Sequence, residues 1–279
     1  MSQLIDIHAL AKLLDDPKLC LIDCRFSLDQ PDQGRFDYAA GHIPGARYMH
    51  LDKDLSAKVV PGITGRHPLP DPEVLQARLQ RIGLNNADQV VVYDDGAGLF
   101  AARLWWSLRW LGHTRVKVLD GGFQAWTTAG LPVSQETPRP AAEGNFQGQA
   151  DNSKLIDAAE IAQRLEDSSL QLLDARGPAR YRGEVEPLDP VAGHIPGAAN
   201  LPCAENTLAD GRWLTPEQLK TRFAPWHDSG KELVSYCGSG VTACHNILAA
   251  VEAGLPEPKL YSGSWSEWIT DPQRPVARG

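Results

Sequence analysis

Short apolar runs alternate along the chain with segments whose apolar residues recur at helical spacing. Residues 19–23, 90–93 and 232–236 are brief, apolar and bounded by loop residues, and they read as buried strands. Residues 7–14, 36–40, 73–82, 99–111 and 243–253 read as helices. In 73–82 Val74, Leu75 and Leu79 share one face, and in 243–253 Ile247, Leu248 and Val251 do. Strands alternating with helices predict an α/β fold, a mostly parallel sheet with helices on both faces. Residues 27–33 form a polar loop, and 52–72 are irregular and rich in Pro and Gly.

The whole pattern occurs twice. Gly41-His42-Ile43-Pro44-Gly45-Ala46 returns as Gly193-His194-Ile195-Pro196-Gly197-Ala198. Leu21-Ile22-Asp23-Cys24-Arg25 precedes the first copy, and Leu172-Leu173-Asp174-Ala175-Arg176 precedes the second. Strand–loop–helix units at 90–111 and 232–253 follow, then the turns Asp120-Gly121-Gly122-Phe123 and Ser262-Gly263-Ser264-Trp265. The shared order makes the chain a tandem duplication. Residues 1–135 and 154–279 are the two expected domains. Residues 136–153, which have few large apolar side chains and no period, form the linker.

Composition narrows the function classes. With 27 Lys and Arg against 35 Asp and Glu the formal charge is −8, which argues against a nucleic-acid or anionic-membrane partner. An anionic substrate must then be held by local donors. No stretch approaches the ~20 apolar residues of a membrane-spanning helix, and residues 1–14 lack the pattern of a signal peptide. Five cysteines without a C-x-x-C pair suggest neither a disulfide framework nor a zinc site. The expectation is a cytoplasmic protein with reduced thiols, no metal and no cofactor.

The candidate chemistry lies at Cys237-Gly238-Ser239-Gly240-Val241-Thr242, between a strand and a helix. Loop N–H groups and the positive end of the helix dipole converge on a sulfur placed there and favour its thiolate. Gly238 and Gly240 let the loop curl, and Ser239 and Thr242 add hydroxyls. The first half has Asp94 where the second has Cys237, so only the second half is expected to be catalytic. Its loop is expected to face the first half.

The D-x-R and G-H-I-P-G-A segments, the Cys-led loop and the Gly-Ser-Trp-Ser-Glu-Trp ending together resemble the two-domain sulfurtransferases of the rhodanese family, over essentially the whole chain. The resemblance implies that Cys237 accepts a sulfane sulfur as a persulfide and passes it to cyanide or a thiol, including that of a thioredoxin-like protein. The uncharged Cys-Gly-Ser-Gly-Val-Thr loop resembles the branch that uses 3-mercaptopyruvate. Thiosulfate is the alternative donor, and a non-enzymatic persulfide carrier the second alternative. The amides from Gly238 through Gly240 and Val241 to Thr242 would hold the persulfide. Arg180 matches the family's substrate-binding arginine. Arg176 is a further candidate, although Arg25 repeats it in the inactive half. A second arginine expected downstream is replaced by Asp189, which weakens the expected clamp on the donor's carboxylate. Ser239 would relay a proton, with a histidine and an acid from the first half behind it; His42 and Asp32 are the candidates by position, with Asp37 as second choice. Trp265 is expected at the pocket mouth, and Cys203 to be exposed. The related cysteine phosphatases need an arginine where this chain has Thr242-Ala243, which argues against that activity.

Overall fold

The structure, a computed structural model, describes residues 1–138, 142–227 and 229–279. Residues 139–141 of the expected linker and residue 228 lie outside the described residues. The chain forms two compact units. The first comprises Met1–Ala57, Leu69–Asp151 and Thr207–Trp213; the second comprises Lys58–Pro68, Asn152–Asn206 and Leu214–Gly279. A simple division in mid-chain therefore misses an exchange. Eleven residues of the irregular 52–72 stretch belong to the second unit, and 207–213 belong to the first.

In the first unit β1 (Leu4–Ile5), β2 (Leu19–Asp23), β3 (Arg47–Tyr48), β4 (Gln89–Tyr93) and β5 (Val116–Leu119) form one sheet in the order β1-β5-β4-β2-β3. Every pairing is parallel, and β2 runs beside β4 from Leu19↔Gln89 to Asp23↔Tyr93. Cys20, Leu21, Ile22, Val90, Val91 and Val92 are all buried, which is why these central strands are apolar without alternation. The second unit repeats the plan with β6 (Leu170–Asp174), β7 (Ala199–Asn200), β8 (Glu232–Tyr236) and β9 (Lys259–Leu260), ordered β7-β6-β8-β9 and again parallel. Its core packs Ile161, Leu172, Ile195 and Val234 against Tyr236, Trp265 and Trp268.

Helix limits follow local chemistry. The helix expected at 36–40 spans Gln33–Ala40, because Gly34 lets its first turn press on the carbonyl of Arg25, 1.9 Å from where a Cβ would sit. The helix expected at 7–14 is shorter, Ile7–Ala11, and starts where the Asp6 carboxylate accepts from the N–H groups of His8 and Ala9.

The residues found in both halves hold the fold. Asp23 and Arg25 are a buried pair, and Arg25 donates to the Gly41 carbonyl at 2.6 Å. Asp174 and Arg176 repeat this, with Arg176 donating to Gly193 at 2.7 Å. The hydroxyls of Tyr93 and Tyr236 accept from the N–H of Ile43 and Ile195, both at 3.2 Å. His42 and His194 stack on Tyr38 and Tyr181, and each sets Nδ1 2.8 Å from that tyrosine's carbonyl. Each repeated polar residue thus ties the Gly-His-Ile-Pro-Gly turn to its sheet.

Candidate active site

Strand β8 delivers Cys237 to a loop that is fastened to the turn after β9. The Cys237 N–H donates to Ser264 Oγ at 3.0 Å, and that hydroxyl donates to the Tyr261 carbonyl at 2.9 Å. The carbonyls of Cys237 and Gly238 accept from the N–H groups of Trp265 and Ser266 at 3.0 and 2.9 Å. Ser264 is the one non-glycine among the described residues with positive φ, +55°, and its two hydrogen bonds hold this conformation. Gly240 has φ +76°, and a Cβ there would lie 2.1 Å from the Ser262 carbonyl oxygen, so only glycine closes the loop. The helix Ala243–Glu252 follows at once. Thr242 gives the helix no side-chain cap, and the amides of Val241 and Thr242, for which no acceptor is found among the described residues, make an anion-ready cradle.

The equivalent cradle in the first unit is filled from within. Asp94 Oδ1 accepts from the N–H of Gly96 and Gly98 at 3.1 and 2.9 Å, and Oδ2 from Phe100 and Ala101 at 2.8 and 3.2 Å. The same loop geometry thus holds a built-in carboxylate in one unit and presents a thiol in the other.

Charged groups gather over Gly238. Nη2 of Arg66 lies 2.8 Å from the point a Cβ on Gly238 would occupy, and Nη2 and Nη1 of Arg180 lie 3.4 and 3.5 Å from it. Arg180 bonds Glu186 through Nε at 3.1 Å and Nη2 at 2.7 Å. Asp189 pairs with both arginines, with Nη1 of Arg66 through Oδ1 and with Nη2 of Arg180 through Oδ2 at 3.3 Å. Burial works against ionisation of Glu186, yet its bonds from Arg180 and the Leu188 N–H keep its carboxyl below the ordinary value. Arginines and carboxylates alternate, so two cations can stand side by side at the loop. Asp189, expected to weaken a clamp on the donor, pairs with both guanidiniums at the loop.

Beside the loop, His67 sets Nδ1 2.7 Å from Ser239 Oγ, and both residues are buried. His42 is not this histidine. Its Nδ1 and Nε2 meet the carbonyls of Tyr38 and Glu136 at 2.8 and 3.0 Å, a scaffold role that His194 shares on its Tyr181 side. Asp32 is exposed and pairs with Lys53 at 2.9 Å, which holds its carboxyl below the ordinary value; Asp37 accepts from Gln33. Arg176 is also withdrawn from the candidate substrate site. Its side chain is 1% exposed, bonded to Asp174, Gly193 and Glu186, and packed over the Trp265 ring. Trp265 is fully buried with its indole N–H on the Val191 carbonyl, not at a pocket mouth. Cys203 is buried too, and burial pushes its thiol up to about 12.

The structure therefore brings Cys237, Gly238, Ser239, Gly240, Val241, Thr242 and Arg180 together and adds Arg66 and His67. Both additions lie in the irregular segment 58–68, where no helix or strand period marks them. One signal was available: unlike His42, His67 belongs to no segment repeated in the other half. Together the groups can bind an anion beside a sulfur nucleophile and move a proton through a hydroxyl. No cluster of metal-binding side chains is found among the described residues, and no described helix is long and apolar enough to cross a membrane.

A family model described as a rhodanese-like domain matches residues 6–129 and again 157–271. The chain is 54% identical to the Pseudomonas aeruginosa protein named "Probable 3-mercaptopyruvate sulfurtransferase", over 100% of this chain and 99% of that one. It is 35% identical to the thiosulfate sulfurtransferase of Cricetulus griseus, over 94% of this chain and 90% of that protein. Among solved structures it resembles the crystal structure of SseA from Escherichia coli, described among 3-mercaptopyruvate sulfotransferases. The TM-score is 0.83 at 33% identity, covering 96% of this chain and 100% of that one.

Proposed function

The chain belongs to the rhodanese family, and we propose that it moves a sulfane sulfur from 3-mercaptopyruvate through a persulfide on Cys237 to a thiophilic acceptor such as cyanide or a thiol. The Cys237 thiolate attacks the donor's sulfur. An S–S bond forms, the donor's C–S bond breaks, and the electron pair leaves on carbon as the enolate of pyruvate. The amides around Val241 and Thr242 support the anionic persulfide. The acceptor then attacks the outer sulfur, and Cys237 departs as thiolate. A reducing compartment such as the cytoplasm suits this chemistry, because all five cysteines are free thiols.

The observation that carries the choice of donor is the 2.7 Å contact between Ser239 and His67. The enolate of pyruvate is a strong base and must be protonated as it leaves. Ser239 can supply that proton and regain it from the imidazole. Sulfite, the leaving group from thiosulfate, is stable as an anion in water and needs no such relay. The loop also lacks the charged residues after its cysteine that a dianionic donor would favour.

The test is a donor comparison with and without the relay. With cyanide as acceptor, His67→Asn is expected to lower kcat for 3-mercaptopyruvate by about 10²–10³-fold and to change turnover of thiosulfate by less than about threefold. A wild-type protein that prefers thiosulfate, or a variant that loses both activities equally, contradicts the reading.

A further inference from the structure

The donor's carboxylate needs cations, and the sequence between Arg180 and Gly193 offers only one more arginine, Arg182. That side chain is turned outward and paired with Glu184 at 2.7 Å. The position where the family resemblance leads one to expect a second arginine carries Asp189, whose side chain is 3% exposed. A buried carboxylate beside an anion site would repel the substrate unless it were neutralised. Arg66 neutralises it. Nη1 of Arg66 pairs with Asp189, while Nη2 is left over Gly238, next in sequence to Cys237. Arg180 is disposed in the same way: Nε and Nη2 are bonded to Glu186 and Asp189, and Nη1 stands over Gly238.

We propose that Arg66 is the second carboxylate-binding arginine of the sulfur donor, held at the loop by Asp189, so that the clamp is Arg66 with Arg180. The proposal rests on the sulfur-transfer reading and assigns one substrate contact within it. It gives Asp189 a purpose: the carboxylate fixes the directions of two guanidiniums that would otherwise repel each other, and leaves one donor edge of each open. Arg66 is not sealed in the core: its side chain is 29% exposed, against 3% for Asp189. It also precedes His67, so the strap that brings the proton relay to Ser239 brings a cation for the substrate with it. The Arg66 N–H donates to Ser266 Oγ at 3.1 Å, which anchors the strap through its backbone, independently of the guanidinium. Replacing the side chain therefore removes the charge and leaves that anchor.

Two measurements test this, one of them independent of any donor. First, Cys237 is alkylated with iodoacetate, an anion, and with iodoacetamide, its neutral counterpart. Arg66→Met is expected to slow iodoacetate by about fivefold to tenfold and to leave iodoacetamide unchanged. Equal effects on both reagents, or none, overturn the proposal, and the iodoacetamide rate shows whether the loop is intact. Second, steady-state kinetics with 3-mercaptopyruvate should show KM raised about tenfold in Arg66→Met with kcat held. Adding Asp189→Arg to that variant returns a guanidinium to position 189 and is expected to recover most of the KM. A fall in kcat at unchanged KM means that Arg66 only holds the strap, and it overturns the assignment. A wild-type preference for thiosulfate overturns the donor reading alone, since the alkylation ratio still decides whether Arg66 is a cation of the site.

Discussion

Cys237→Ser is expected to abolish sulfur transfer to cyanide while leaving the thermal unfolding midpoint close to that of the wild type. Serine cannot form a persulfide, and no other thiol can replace Cys237. Burial raises Cys203 to about 12 and Cys20 to about 11, and it holds Cys24 well above the usual thiol range. Cys244 is fully buried, with its thiol turned to the Gly240 carbonyl at 3.4 Å. The fold should survive because Cys237 is fastened through its backbone, by its N–H to Ser264 and its carbonyl to Trp265. Residual turnover in the serine variant above the uncatalysed rate would show that another group accepts the sulfur. A large fall in stability would show that the thiol has a packing role.

The second large effect lies in the other unit, away from Cys237. Asp94→Ala removes a buried carboxylate that accepts four backbone N–H groups and leaves all four without that acceptor. Hydrogen bonds to an ionised group are worth about 1.5–3 kcal/mol each, but they are not additive, and water will reach part of the opened loop. The expected loss is about 3–5 kcal/mol of stability. Asp94→Asn keeps one carbonyl acceptor and should lose roughly half as much. Urea denaturation of the full chain measures both, and turnover well below the transition should persist. Unchanged stability would mean that the loop amides are satisfied without the carboxylate. Lost turnover in a folded protein would give Asp94 a part in the reaction.

The two halves explain what could be read from sequence. The strands 19–23 and 232–236 were legible to the residue, because a parallel sheet is buried on both faces and each strand is short, mostly apolar and bounded by loop residues. The Cys237 loop was legible because its glycines, hydroxyls and thiol are contiguous, and one local turn makes all of its geometry. The histidine beside Ser239 was missed because the contact is made across 172 residues of chain, by a segment with no periodicity. His42 was attractive for its place in a motif, yet the motif recurs, and recurrence marks what both sheets need. Arg176 was kept as a substrate candidate although Arg25 repeats it, and the structure bonds it to Asp174, Gly193 and Glu186 as recurrence would suggest; the same reasoning applied to histidines favours His67. Asp189 was misread for a related reason: a charge can be assigned a role only when its partner is known, and Arg66 lies 123 residues away in sequence.

The most direct test of the central claim is intact-mass spectrometry of the protein after one equivalent of 3-mercaptopyruvate, with no acceptor present, together with an assay for pyruvate. The expected result is a gain of one sulfur atom, mapped to Cys237, lost on adding cyanide and matched by an equal amount of pyruvate. An unmodified protein, a sulfur carried on another residue, or an adduct formed only with thiosulfate would contradict it.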